Sequence, residues 1–184
     1  LALDNSGIPR QWISHEDAIT YHAKDAVVWS LGEVVAKFHG GVNKDTGVPS
    51  YIETPSIIAI KGHGFDPAKH GKVALSNRTL FGRDRHVCAY CGGHFPNYHN
   101  LSRDHIMPKS KGGTNTWMNV VTACRTCNSK KDDKTLKESK MELLYVPYVP
   151  NHFENMILLN RNILADQMEY LLSGVPKHSR ILNN

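Results

Sequence analysis

The chain has 184 residues, of which 40% are hydrophobic and 21% charged, and its formal net charge is +5. That balance fits a folded protein of one ordinary domain or two small ones and excludes a disordered tract. No apolar run approaches the roughly 18 residues of a membrane-spanning helix, so no membrane partner is expected.

The opening residues, LALDNSGIPRQW, hold no basic stretch leading into an apolar core, so no secretory signal is expected and the expected location is cytoplasmic. Charge is unevenly spread. Residues 1–77 carry 7 Lys/Arg and 8 Asp/Glu, residues 78–140 carry 12 and 5, and residues 141–184 carry 3 and 4. The positive excess therefore belongs to the middle of the chain, which points to a polyanionic partner, most simply nucleic acid.

Residues 1–60 read as a small mixed α/β unit. LALD suits a strand and SGIP a turn. Ser14, with Asp17 three residues on, caps a short helix over 15–23. AVVWSL (26–31) and EVVAKF (33–38) are β-branched and aromatic runs parted by a glycine, which suggests two strands, and SIIAI (56–60) suits a buried strand. His15, His22 and His39 are scattered singly, and the unit reads as scaffold. KGHGFDPAKHGK (61–72) reads as an exposed linker whose His63 and His70 lack partner spacing. In VALSNRTLFGRDR (73–85), Ser76 caps a helix through Phe81, with Arg78, Arg83 and Arg85 expected toward solvent.

The stretch 85–134 holds all four cysteines as two C-x-x-C pairs, Cys88/Cys91 and Cys124/Cys127. In a reducing compartment such pairs read as thiolate ligands of one tetrahedral Zn²⁺; a redox C-x-x-C is the runner-up, and the two matched pairs argue against it. A four-cysteine site is closed, so this zinc is structural and the chemistry falls to the 32 residues between the pairs. There LSRDHIM suits a strand, Gly112-Gly113 a loop, and MNVVTAC a second strand. The second C-x-x-C then opens a helix carrying Asn128, Lys130, Lys131 and Lys134. Asp104 and His105 are adjacent, so on a regular strand they face opposite ways and a twist or bulge is needed to bring both to one site. Trp117 is expected to pack the hairpin on the helix; His94 and His99 are left unassigned.

Beyond this stretch, residues 137–144 suit a short helix broken by Pro147 and Pro150. Asn151 then caps one longer helix to about Leu172. Its face of Phe153, Ile157, Leu164, Met168 and Leu171 is expected to pack on the N-terminal sheet.

Taken together, Cys88/Cys91, Asp104-His105, Asn119, Cys124/Cys127 and Asn128 resemble the HNH endonuclease family, the ββα-metal nucleases with a four-cysteine zinc. The similarity runs over residues 75–140, and LALDNSGIPRQWIS…AKDAVVWSLGE is similar to the leader of a group of bacterial HNH proteins. The resemblance implies His105 as general base, Asp104 and Asn128 as metal ligands, and Asn119 as the residue that fixes the strand-connecting loop. The third motif letter here is Asn128 rather than histidine, the H-N-N variant. A carboxylate and an amide oxygen suit a hard cation, Mg²⁺ or Mn²⁺. Arg103, Lys109, Lys111, Arg125, Lys130 and Lys131 are assigned to phosphate contacts that position rather than read the nucleic acid.

The expected fold is α+β: an N-terminal mixed unit with linker (1–72), a zinc-stapled nuclease core (73–140) and a C-terminal helical segment (141–184). The expected activity is metal-dependent hydrolysis of phosphodiester bonds in DNA. The alternatives are a zinc-stabilised nucleic-acid-binding module without cleavage, a nuclease acting on RNA, and a component whose target a partner chooses. The oligomeric state is open between monomer and homodimer.

Overall fold

The computed structural model describes residues 1–62, 73–159, 162–177 and 179–182. Most of the expected linker, with His63 and His70, lies outside them. The chain is α+β and divides into two compact units, Leu1–Lys72 with His152–Gly174, and Val73–Asn151 with Val175–Asn184.

In the first unit, strands β1 (Ala2–Leu3), β2 (Pro9–Gln11), β3 (Val27–Val42) and β4 (Pro49–Ile60) form one sheet in the order β2-β1-β4-β3. β1 runs parallel to β4, and the other pairings are antiparallel. The inner end of β4 explains why SIIAI is so apolar. Its side chains alternate across the sheet: Ile57 and Ala59 join Leu1, Leu3, Met156 and Leu171 on one face. Ile58 and Ile60 pack with Ala18 on the other. A strand between two neighbours with helices on both faces has no polar side to show. Burying each isoleucine contributes about 1.5–3 kcal/mol. Helix α1 (His15–Ala23) starts at Ser14, whose side chain accepts from the Asp17 amide in a full capping box.

Two expectations for this unit are corrected. The runs at 26–31 and 33–38 are not two strands but one continuous β3, because Gly32 (φ +87°) adopts a bulge instead of a turn. Leu31 pairs with Ile57 and Val34 with Pro55, so Gly32 and Glu33 together face Ser56. The single C-terminal helix is instead two, His152–Leu159 and Ala165–Ser173, since Leu164 is extended (φ −67°, ψ 158°). Both helices contribute to the core against β4 through Met156 and Leu171.

In the second unit, helix α2 (Asn77–Arg83) starts at Ser76, again with a full capping box. Strands β5 (Leu101–His105) and β6 (Val120–Cys124) form an antiparallel pair, with Asp104 opposite Val121 and His105 opposite Val120. Helices α3 (Arg125–Lys131) and α4 (Leu136–Ser139) follow. Val73, Leu80, Phe81, Leu101, Trp117 and Val120 form the core, and Trp117 donates its indole N–H to the Val73 carbonyl at 2.9 Å.

Arg83 does not face solvent as expected; it is 0% exposed. Its guanidinium donates to Asp84, to Trp117 O (2.8 Å), to Val120 O (2.9 Å) and to Tyr148 O (3.0 Å). The Asp84 carboxylate in turn accepts from the Thr122 amide at 2.8 Å. The pair thus satisfies backbone groups at Val120 and Thr122 in β6 and at Trp117 and Tyr148 outside it, as buried polar backbone requires.

Candidate active site and metal centre

The two C-x-x-C turns converge. The sulfurs of Cys88, Cys91, Cys124 and Cys127 all lie within 4.8 Å of one another, and all four cysteines are free thiols. A zinc ion with four thiolates at about 2.3 Å needs sulfurs about 3.8 Å apart, so this set fits a tetrahedral structural zinc. Among the described residues it is the one cluster of this kind. Local bonds shape each turn: the Gly92 amide meets Cys88 O at 3.0 Å, and the Cys127 amide meets Cys124 Sγ at 3.4 Å. Because Cys124 also caps α3, the second turn fixes where that helix begins.

That helix faces the end of β5, and there the expected site residues meet. Asp104, His105 and Asn128 line one open cleft of about 310 Å³, together with Arg103, Lys109, Asp132 and Asp133. No bulge interrupts β5; the ladder runs in register from Leu101 to His105. The strand ends at His105, and both Asp104 and His105 line the cleft there.

Asp104 is 4% exposed. Its Oδ2 accepts from the Tyr90 hydroxyl, and its Oδ1 accepts from Lys131 Nζ at 3.1 Å. Burial, and then the bond to Asp104, raise the Tyr90 pKa above the ordinary phenol range, so Tyr90 stays a donor. Lys131 was expected on the surface against phosphate, and the structure corrects this. Its ammonium is fully buried and also donates to the His105 carbonyl at 2.7 Å. A buried ammonium needs an anionic partner, and Asp104 is that partner.

His105 is half-buried, and its Nε2 lies 3.3 Å from Asn115 Oδ1. Arg103 Nη1 donates to the same Asn115 atom at 2.9 Å. Arginine can only donate, so that atom is the amide oxygen and the imidazole meets it as Nε2–H, which leaves Nδ1 as the basic nitrogen. Burial pulls the His105 pKa below its ordinary value, with Lys109 and Arg103 adding to the effect and Asn115 and Asp104 opposing it. The ring is therefore neutral near pH 7.

Asn128 donates through Nδ2 to Ser102 Oγ at 2.9 Å, so its amide oxygen is the end left for a ligand. Asn119 spans the loop between the strands: its Oδ1 accepts from the Met107 amide (2.9 Å) and its Nδ2 donates to Met107 O (3.1 Å) and Thr114 O (2.8 Å). The same loop needs Gly113, because a Cβ there would lie 1.7 Å from the Met107 carbonyl oxygen.

Of the other basic residues, Lys109, Arg125 and Lys130 are exposed. Lys111 is committed to Glu138 at 2.5 Å. Sequence reading missed Tyr90, Ser102 and Asn115, for which no spacing gives a signal. It also missed the role of Lys131, for which a signal existed: three residues after Asn128 on a helix is the same face.

A β-hairpin followed by a helix, clasped by four converging cysteines and with an aspartate–histidine step at the strand end, is consistent with the ββα-metal fold. Residues 88–144, about a third of the chain, match the family model described as HNH endonuclease, and this segment is an HNH domain. Such a domain implies nuclease chemistry on a nucleic-acid substrate. No curated protein and no solved structure matches the chain. Among the described residues, no helix is long and apolar enough to cross a membrane.

Proposed function

We propose that this chain is a metal-dependent endonuclease that hydrolyses phosphodiester bonds in DNA, with His105 as general base and Asp104 and Asn128 as ligands of Mg²⁺ or Mn²⁺. The observation that carries the reading is the meeting of Asp104, His105 and Asn128 in one cleft rimmed by Arg103 and Lys109. An acidic oxygen, an amide oxygen and a neutral imidazole meeting in one cleft suit a hard cation and a phosphodiester.

His105 Nδ1 takes a proton from a water aligned with the phosphorus, and Asn115 holds the ring in the tautomer that makes this possible. Asn119 keeps the loop between the strands closed over the end of β5. Lys109, Arg125 and Lys130 contact phosphates and position the backbone without reading bases. A cation bound at Asp104 and Asn128 supplies charge neutralisation to the phosphate and to the departing 3′ oxygen. The four cysteines hold a separate Zn²⁺ that maintains the fold, at about one ion per chain, and their free thiols suit a reducing cytoplasm.

A plasmid-nicking assay with Mg²⁺ or Mn²⁺ tests the reading. Wild type should cut, and His105→Ala should be slower by about 10²–10⁴-fold. Equal cutting by both chains removes His105 from the mechanism. Binding of DNA with no cutting by either points to a binding module, and cutting of RNA alone moves the substrate.

A further inference from the structure

The four-cysteine node and the cleft are joined by one side chain. Tyr90 lies between Cys88 and Cys91. It packs against the buried cluster of Cys88, Ala123 and Cys124, while its hydroxyl donates to Asp104 Oδ2. The opposite oxygen of the same carboxylate accepts from Lys131, which rides on the helix that the second cysteine pair begins. One donor therefore comes from the first C-x-x-C turn and the other from the helix that the second pair begins, and the two meet the carboxylate on different oxygens. A carboxylate gripped at both oxygens cannot rotate about its last torsion, so the lone pairs left to a ligand have a fixed direction.

We propose that Tyr90 is a positioning residue, which aims the Asp104 carboxylate into the cleft and carries the geometry of the four-cysteine node to the cation site. This rests on the reading of Asp104 as a cation ligand. Lys131 restrains Asp104 as well, but it brings a charge that itself opposes a nearby cation. Tyr90 is neutral, and removing its hydroxyl takes away one donor to Asp104 without changing the local charge. Removing a hydrogen-bond partner of a metal-ligating group typically lowers metal affinity by about 10–100-fold. For a single neutral donor the lower end, about ten-fold, is expected.

The test uses the full chain as wild type, Tyr90→Phe and Asp104→Asn. Mn²⁺ affinity is measured without nucleic acid from the electron paramagnetic resonance signal of free Mn²⁺. In parallel, Co²⁺ loaded at the four cysteines reports their geometry through its thiolate charge-transfer band. The expected result is loss of Mn²⁺ binding in Asp104→Asn, about ten-fold weaker binding in Tyr90→Phe, and the same cobalt band in all three. If Tyr90→Phe binds Mn²⁺ like wild type while Asp104→Asn does not, the positioning role is overturned and the ligand assignment stands. If Asp104→Asn also binds like wild type, the ligand assignment itself falls and takes this inference with it. If the cobalt band of Tyr90→Phe is lost along with Mn²⁺ binding, Tyr90 is a structural part of the node and its positioning role is overturned.

Discussion

Two buried ion pairs stand in the same compact unit, Arg83–Asp84 and Lys131–Asp104, with both cations fully buried. Arg83 is closed on all sides: besides Asp84 it donates to the carbonyls of Trp117, Val120 and Tyr148, and Asp84 also takes the Thr122 amide. Lys131 has two partners, Asp104 and the His105 carbonyl, and Asp104 lines an open cleft. The first pair spends its bonding on buried backbone, in β6 at Val120 and Thr122 and outside it at Trp117 and Tyr148. The second keeps part of it facing a space that a ligand can enter. The same chemistry thus serves as a staple in one place and as the wall of an open cleft in the other.

The sharpest way to break this contrast is Arg83→Met. It leaves Asp84 buried without its counter-ion and three carbonyls without their donor, and it is expected to cost about 3–5 kcal/mol in urea denaturation. Adding Asp84→Asn should recover part of that loss, because the remaining charge is then gone. A loss below about 1 kcal/mol for the single variant, in the range of ordinary surface substitutions, removes the staple.

Lys131→Met should cost less, about 1–3 kcal/mol by the same measurement. Asp104 keeps the Tyr90 hydroxyl and lines an open cleft, so it is less enclosed than Asp84. If this variant loses as much as Arg83→Met, the two pairs are energetically alike and the distinction between closed and open fails.

The pairs also show which parts of the molecule the sequence made legible. The four cysteines were readable because a C-x-x-C turn is a local object, and the capping serines, Ser14 and Ser76, because their partners lie three residues away. Asp104, His105 and Asn128 became legible together through a family resemblance and meet in one cleft. Arg83 was not legible: a basic residue at a helix end reads as solvated, and its carbonyl partners lie 34, 37 and 65 residues along the chain. Lys131 failed the same way, since its carboxylate partner is 27 residues back. Gly32 misled for a different reason, because a glycine between two strand-like runs marks a turn or a bulge equally well, and only the pairing partner decides.

The exposed pair Lys111–Glu138 completes the series and should show the smallest effect. Its side chains are 35% and 50% exposed. Glu138 also closes the capping box of α4 through Thr135, a task that glutamine's oxygen retains, so Glu138→Gln isolates the charge. The Lys111 hydrogen bond, followed by those from Thr135, holds the Glu138 pKa at about 2 instead of the ordinary 4.5. A carboxylate lowered on folding stabilises fully above its ordinary value, and that contribution is lost as pH falls through the folded one. Thermal unfolding of wild type and Glu138→Gln should therefore differ slightly and constantly at pH 6–7, roughly two units above the ordinary glutamate value. The difference should narrow as pH falls from about 4.5 toward about 2. A gap that ignores pH assigns the effect to the helix cap, and a gap as large as that of Lys131→Met denies that burial is what separates these three pairs.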